Sequence, residues 1–190
     1  MVTESLNQRP DLVVPVRNAA EARANATYEA LMWALARPGK IRQLPDGNPS
    51  ALAETLVDRE CRVFASDAGL AGEIAATGAH LAPAAEADHA FLALDTPAGL
   101  SALGDVPTGS HLYPDEGATV FASAEIGSGR CLRLSGPGIE DTEEIRVGGI
   151  PDEVWAIRNA RCLYPTGFEL FLIDGDQVLG LPRSTKIEVL

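Results

Sequence analysis

The chain has 190 residues, nearly half of them apolar, and a formal net charge of −12 at pH 7. An acidic surface gains nothing from counterion release on a phosphate backbone, so neither nucleic acid nor an anionic membrane is expected as a partner. No apolar run approaches the length of a membrane span, and residues 1–10 lack the apolar core of a secretory signal, so we expect a cytoplasmic protein.

The first half of the chain predicts helices that alternate with short strands. After an extended arm over residues 1–18, apolar residues recur at helical spacing between Ala19 and Ala36, and Pro38 ends the helix. Two further helices begin at N-cap residues, and the apolar runs between elements have strand character. The helices span residues 48–58 and 67–78, and the strands span residues 61–65 and 90–94.

The middle of the chain predicts a long loop and then a hairpin. Residues 104–117 are rich in Gly, Pro, Ser and Asp, and a loop of that length inside a domain is often functional. Strands over residues 118–124 and 130–135 are expected to pair through a turn at Gly127-Ser128-Gly129. The acidic run over residues 140–144 is interpreted as solvated surface.

The last forty residues predict a helix followed by three strands. Pro151 begins the helix, which is expected to end near Arg161. The strands are expected over residues 168–173, 178–181 and 186–189, with a turn at Asp174-Gly175-Asp176 between the first two. Together these elements predict a single α/β domain over residues 19–190, with a mixed β-sheet flanked by helices.

One candidate site is the strand that runs into a Ser-Gly-Pro-Gly turn at residues 135–138. The two leucines of this strand would share one face, whereas Arg133 and Ser135 would share the other and converge on the turn. Gly136 and Gly138 would let the backbone approach a ligand closely. Chemistry or a partner is therefore expected here.

A second candidate site involves Glu169, which stands in an otherwise apolar strand. A buried carboxylate needs a partner, and Arg133 and Arg183 are the candidates. Such a pair would either fix the strand register or hold Glu169 near a ligand. The segment from Arg183 through Thr185 to Lys186 offers cations and hydroxyls that could hold an anion, or it could protect a sheet edge. Both alternatives stay open.

No catalytic or metal-binding constellation is predicted. The three cysteines have no CxxC spacing and lie in apolar segments, so we interpret them as buried thiols. The three histidines lie in separate polar segments without HxH or HExxH spacing, so no metal site is expected. The sequence contains no GxSxG motif, so it gives no support for a serine nucleophile. It also contains neither GxGxxG nor a P-loop motif, which are the usual sequence evidence for a self-contained nucleotide site.

Five segments in order resemble the H subunit of the bacterial carbon–phosphorus lyase core complex, the PhnH family. The first includes Ala-Leu-Met-Trp-Ala-Leu-Ala-Arg-Pro-Gly, and the third is Leu-Arg-Leu-Ser-Gly-Pro-Gly-Ile. The segments span residues 28–41, 108–119, 132–139, 164–171 and 181–189. Family members often carry an aromatic-His-Thr element where this chain has Ala76, so a histidine at that position is not essential here.

The resemblance implies an α/β fold similar to the large domain of pyridoxal-phosphate-dependent transferases, without that cofactor, and a homodimer. It implies assembly with the G, I and J subunits. With the G, I and L subunits, such proteins support displacement of adenine from ATP by a phosphonate, which gives a ribose 1-phosphonate 5-triphosphate. An iron–sulfur radical subunit later breaks the carbon–phosphorus bond, and this chain has no Cys cluster for such a centre.

We therefore expect a subunit without turnover of its own, no cofactor and no catalytic residue. The alternative is a stand-alone phosphonate- or nucleotide-binding enzyme. A residual pyridoxal-phosphate enzyme would need an aldimine lysine, and neither Lys40 nor Lys186 is well placed. The ligand or interface candidates are Arg133, Ser135, Gly136, Gly138, Glu169, Arg183 and Thr185.

Overall fold

The computed structural model describes residues 17–190, so the expected arm lies outside the described part except for Arg17 and Asn18. The described helices are α1 Ala19–Ala36, α2 Pro49–Leu56, α3 Ala68–Ala76, α4 Pro97–Asp105 and α5 Glu153–Arg161. The described strands are β1 Arg42–Gln43, β2 Arg62–Ala65, β3 His80–Leu81, β4 His89–Leu92, β5 Thr119–Ser123, β6 Glu125–Ser135, β7 Glu143–Gly148, β8 Glu169–Asp174, β9 Gln177–Leu181 and β10 Lys186–Val189. None of these helices is long and apolar enough to cross a membrane.

The three helices expected in the first half of the chain begin where the sequence predicts. The side chain of Asn18 accepts from the N–H of Glu21, and the Glu21 carboxylate accepts from the N–H of Asn18, which forms a capping box. Asn48 and Asp67 cap α2 and α3 without a capping box, each through one side-chain oxygen that accepts from a backbone N–H of the first turn. The three predicted helices are confirmed, although α2 ends at Leu56 and α3 at Ala76, each two residues before the predicted end.

Seven strands form a mixed sheet in the order β1-β9-β8-β5-β4-β2-β3. The five strands from β3 to β8 in this order run parallel, whereas β9 is antiparallel to β8 and β1 is antiparallel to β9. The predicted α/β fold with a mixed sheet is therefore confirmed. The strand with Glu169 is an interior strand, and its hairpin with β9 is also confirmed.

The sheet is buried on both faces, which explains the continuous apolar runs of its interior strands. Phe91, Phe121 and Phe171 lie side by side on β4, β5 and β8 and stack with ring centroids 5.0 and 5.1 Å apart. They pack against α1, α2 and α3. Their strand neighbours face the opposite way, toward α4, α5 and a second sheet.

The second sheet has three strands in the order β10-β6-β7 and was not predicted. The expected hairpin between residues 118–124 and 130–135 is wrong, because β5 already has β4 and β8 on its two edges and β6 pairs with β7 and β10. Gly127 and Gly129 have φ values of 95° and 75° and belong to an irregularity inside β6, not to a turn between strands. Glycines that adopt positive φ suit either role.

The acidic run is mostly solvated surface, as expected, because residues 140–142 and Glu144 are exposed. Glu143 and Glu144 begin β7, whose Ile145 and Val147 alternate toward the protein interior. The last predicted strand is confirmed as β10, but it pairs with β6 in the second sheet. Hence the strand that carries Arg133 lies in the middle of this smaller sheet.

Candidate functional site

Arg133 lies on the more exposed face of the second sheet. The strand register places it opposite Glu144 on β7 and Glu188 on β10. Its guanidinium donates to both carboxylates, at 3.2 Å to Glu144 and 3.0 Å to Glu188. The hydrogen bond to Glu144 raises the pKa of Arg133 most, and the hydrogen bond to Glu188 raises it further. Arg133 is therefore part of a cross-strand set of ion pairs and is not the partner of Glu169.

The Ser-Gly-Pro-Gly turn packs on the protein's own backbone. Gly136 has φ 133°, and a Cβ atom there would lie 2.9 Å from the carbonyl oxygen of Ser184. A Cβ atom on Gly138, at φ 84°, would approach the carbonyl oxygen of Ala36 to less than 3.0 Å. Ser135 is half-buried opposite Lys186 in the β6–β10 register. Internal packing thus explains the glycines, and a ligand role for this turn stays a prediction.

Glu169 pairs with Arg183, one of its two predicted partners. Nε of Arg183 donates to one carboxylate oxygen at 2.6 Å, and the backbone N–H of Arg183 donates to the other at 2.8 Å. Nη1 of Arg183 donates to the carbonyl oxygen of Pro114. Only 14% of the Arg183 side chain and 20% of the Glu169 side chain are exposed, so this pair is shielded from solvent.

Three chain segments meet around this ion pair. The N–H of Gly167 donates to the carbonyl oxygen of Thr108 at 2.8 Å, and Arg183 links the strand end to Pro114. Gly117 lies so close to Gly167 that a Cβ atom on Gly117 would overlap the carbonyl oxygen of Gly167. We refer to residues 108–117, 163–169 and 181–186 as the loop junction.

Arg158 reaches the loop junction from α5. It is 1% exposed, and it donates to the backbone carbonyl oxygens of Leu181, Pro182 and Thr185. Burial lowers the pKa of Arg158, whereas Cys162 and Glu169 act in the opposite direction. Because its guanidinium fixes three carbonyls at the end of β9, Arg158 positions the segment that carries Arg183.

A cleft of about 520 Å³ opens beside the loop junction, and we refer to it as the Arg158 cleft. Its basic lining residues are Arg158, Arg183 and Lys186, and no acidic residue lines it. Thr185 also lines it and is 3% exposed. Nε of Arg158 and Oγ1 of Thr185 are buried and have no hydrogen-bond partner in the described part of the chain. These two atoms are unusual, because buried polar groups are generally hydrogen-bonded.

A second cleft, of about 470 Å³, lies at the carboxyl ends of β2, β4 and β5. Open α/β sheets often bind ligands at this edge. Its floor includes Phe91 and Phe121, and its charged lining residues are Asp67, Asp95 and Glu125. Since no basic residue lines it, this cleft is electrostatically unsuited to a phosphonate or a triphosphate.

No metal centre is evident between residues 17 and 190, where no three His, Cys, Asp or Glu side chains come together as possible ligands. The cysteines form no disulfide there, and all three are only partly buried. The interpretation of the cysteines as buried thiols is therefore only partly correct, because they are free thiols but each keeps part of its surface in contact with solvent.

The family model described as "Bacterial phosphonate metabolism protein (PhnH)" matches residues 17–188. The chain belongs to the PhnH family. A C-P lyase subunit protein of Stutzerimonas stutzeri, HtxG, is 33% identical over 174 residues, which cover 88% of this chain and 87% of the relative. The alpha-D-ribose 1-methylphosphonate 5-triphosphate synthase subunit PhnH of Rhizobium meliloti (strain 1021) is 32% identical over 184 residues, with 87% and 90% covered.

The loop junction joins three of the five segments that carry the PhnH resemblance. Sequence reasoning identified Glu169, Arg183 and Thr185 there but missed Arg158. The available signal was a cation on the apolar stripe of α5, four residues after Val154 and three after Trp155. Ala76 is the exposed last residue of α3.

Proposed function

We propose that this chain is a non-catalytic subunit of the carbon–phosphorus lyase complex in organic phosphonate catabolism. The PhnH family match over residues 17–188 carries the proposal. One relative is named as a C-P lyase subunit, and another as a subunit of the synthase that makes a ribose methylphosphonate triphosphate. In this role the chain supports transfer of the ribose triphosphate of ATP to a phosphonate, with adenine displaced, while other subunits supply the catalytic groups.

The proposal has further parts that follow from the family resemblance. The chain assembles with the G, I and J subunits in the cytoplasm and forms a homodimer. Its fold is similar to that of the large domain of pyridoxal-phosphate-dependent transferases, but it holds no pyridoxal phosphate. Lys40 pairs with Glu143 at 2.8 Å on the protein surface, and Lys186 is exposed on β10, which supports the view that neither lysine forms an aldimine.

We also propose that the loop junction contacts another subunit of the complex. Four large apolar side chains are exposed on two of its loops: Leu112, Tyr113, Leu163 and Tyr164. The loops themselves are anchored by the Gly167–Thr108 hydrogen bond and by Arg183. Exposed aromatic and aliphatic side chains on an anchored backbone are typical of a protein interface, because little conformational entropy is lost on binding.

Co-expression with the G, I and J subunits, followed by size-exclusion chromatography, tests both proposals. We expect the wild-type chain to co-elute and the double variant Tyr113→Ser/Tyr164→Ser to dissociate. The matched control is Tyr28→Ser/Met32→Ser, which removes two exposed apolar side chains from α1. A wild-type chain that never co-elutes overturns the subunit role. Dissociation of the α1 variant, with the loop variant still bound, overturns the choice of surface.

A further inference from the structure

We propose that the Arg158 cleft binds a small tetrahedral oxyanion, a phosphate or phosphonate group, with Lys186 as its direct cation. This inference goes beyond the docking role, which requires no ligand. It differs from the predicted site at the Ser-Gly-Pro-Gly turn, because Arg133 pairs with Glu144 and Glu188.

The charge of the cleft is the first argument. The chain carries a net charge of −12, yet three of the ten residues that line this cleft are basic and none is acidic. Glu169 neutralises Arg183. Within residues 17–190, neither Arg158 nor Lys186 forms a salt bridge to a carboxylate. The cleft therefore has a local excess of about two positive charges in an otherwise acidic protein.

The burial of Arg158 is the second argument. A buried guanidinium without a carboxylate loses its hydration and recovers only part of that loss from neutral carbonyl oxygens. Arg158 is 1% exposed, and its hydrogen-bond acceptors in the described chain are the three backbone carbonyls. An anion in the cleft would supply the missing counter-charge through a medium of low dielectric constant, where the attraction is stronger than in water.

The polar groups around the cleft are the third argument. Oγ1 of Thr185 and Nε of Arg158 are buried without a hydrogen-bond partner among the described residues, which marks an incompletely satisfied polar site. Ser184 and Tyr164 also line the cleft and carry hydroxyl groups. Lys186 lines the same cleft, is exposed and forms no ion pair within residues 17–190. Oxyanion recognition needs this combination of a cation and several donors.

Calorimetric titration of the isolated full chain with inorganic phosphate and with methylphosphonate tests the proposal. We expect saturable binding that Lys186→Gln weakens about tenfold or more, since one charge-assisted hydrogen bond is lost. Lys40→Gln is a matched control, because Lys40 is the only other lysine, it pairs with Glu143, and its removal changes the net charge equally. Arg158→Gln is not used alone, because a buried Arg is also expected to support folding.

The two-lysine composition allows a second readout. Mass spectrometry can monitor the rate at which a chemical reagent acetylates each lysine. Phosphate is expected to slow the acetylation of Lys186 and to leave the acetylation rate of Lys40 unchanged. ATP and acetate serve as further ligands. Tighter binding of ATP than of inorganic phosphate assigns the site to a nucleotide phosphate, and tighter binding of methylphosphonate assigns it to a phosphonate. Absence of saturable binding, equal weakening by both lysine variants, or a preference for acetate overturns the proposal. None of these results bears on co-elution with other subunits.

Discussion

Gly117→Ala tests whether the loop junction is as closely packed as the structure describes. A Cβ atom at this position would lie less than 3.0 Å from the carbonyl oxygen of Gly167, 2.9 Å from Nη1 of Arg183 and 3.1 Å from its Nη2. The φ of Gly117 is −71°, so alanine is not strained by the backbone angle itself. The steric cost therefore comes from the contacts with Gly167 and Arg183 and not from backbone strain.

The expected loss follows from two effects. Restoring ordinary contact at 3.4 Å or more requires the loops to separate by about 1 Å, which as overpacking costs about 1–3 kcal/mol. The separation also weakens, without breaking, the hydrogen bond from Arg183 to Pro114, at a cost of about 1 kcal/mol. Alanine reduces the conformational entropy of the unfolded chain relative to glycine, which offsets about 0.5 kcal/mol. We expect Gly117→Ala to lower the free energy of unfolding by about 2 kcal/mol, or the melting temperature by about 4–8 °C.

Urea unfolding of Gly117→Ala beside Gly72→Ala is the assay. Gly72 lies inside α3, and a Cβ atom there would meet nothing within 4 Å. Gly72→Ala is therefore expected to stabilise the protein by about 0.5–1 kcal/mol, because alanine is the better helix former. A Gly117→Ala protein as stable as the wild type would refute the close packing of the junction. We also expect Gly117→Ala, and not Gly72→Ala, to weaken co-elution with the partner subunits.

Three further predictions concern stability. Glu169→Ala leaves the shielded Arg183 without its carboxylate and is expected to lower the free energy of unfolding in urea by about 3 kcal/mol. Arg133→Ala is expected to have a much smaller effect, because the Arg133 side chain is 39% exposed and its ion pairs are screened by solvent; equal losses would contradict this. Phe121→Ala removes the middle ring of the stack and should cost about 3–5 kcal/mol; a loss below 1 kcal/mol would argue against the stack. Burial lowers the pKa of His89, so below its ordinary 6.5 the unfolded chain binds a proton that the folded chain does not, and stability falls as pH falls. The free energy of unfolding, measured from about pH 7 to about pH 5, should fall less for His89→Gln than for the wild type, and an equal fall for both proteins would contradict this reasoning.

The elements with local signals were predictable from sequence. α1, α2 and α3 follow from N-cap residues and helical spacing, and the β8–β9 hairpin follows from two apolar runs around Gly175. α4 was missed, although Thr96 caps it and Pro97 occupies its first position, as the same rules predict. It takes up the start of the expected loop, which therefore begins after Asp105.

The second sheet was not predictable by the same means. Which strands pair depends on which edges are free, and this is settled by contacts between residues far apart in sequence. The Gly127-Ser128-Gly129 sequence is equally compatible with a hairpin turn and with an irregularity inside a strand. The two glutamates that begin β7 belong to an acidic run, which gives no sequence signal for a strand. Local propensity carries no information that separates these cases.

The candidate site was partly predictable for a related reason. An isolated carboxylate in an apolar strand requires a cation, so the Glu169–Arg183 pair could be anticipated as one of two options. The pairing of Arg133 with Glu144 and Glu188 could not, because it depends on the unpredicted sheet. Arg158 was overlooked because its partners are backbone carbonyls. Every residue has a backbone carbonyl, so the amino-acid sequence does not indicate which ones pair with an arginine.

The subunit role is tested most directly by amide hydrogen exchange of the chain alone and in the complex with the G, I and J subunits. We predict slower exchange in residues 109–116 and 162–167 on assembly, with α3 unchanged as an internal reference. Unchanged exchange throughout residues 17–190, in a sample where the partner subunits are present in excess, would contradict the proposal that this chain docks on them through the loop junction.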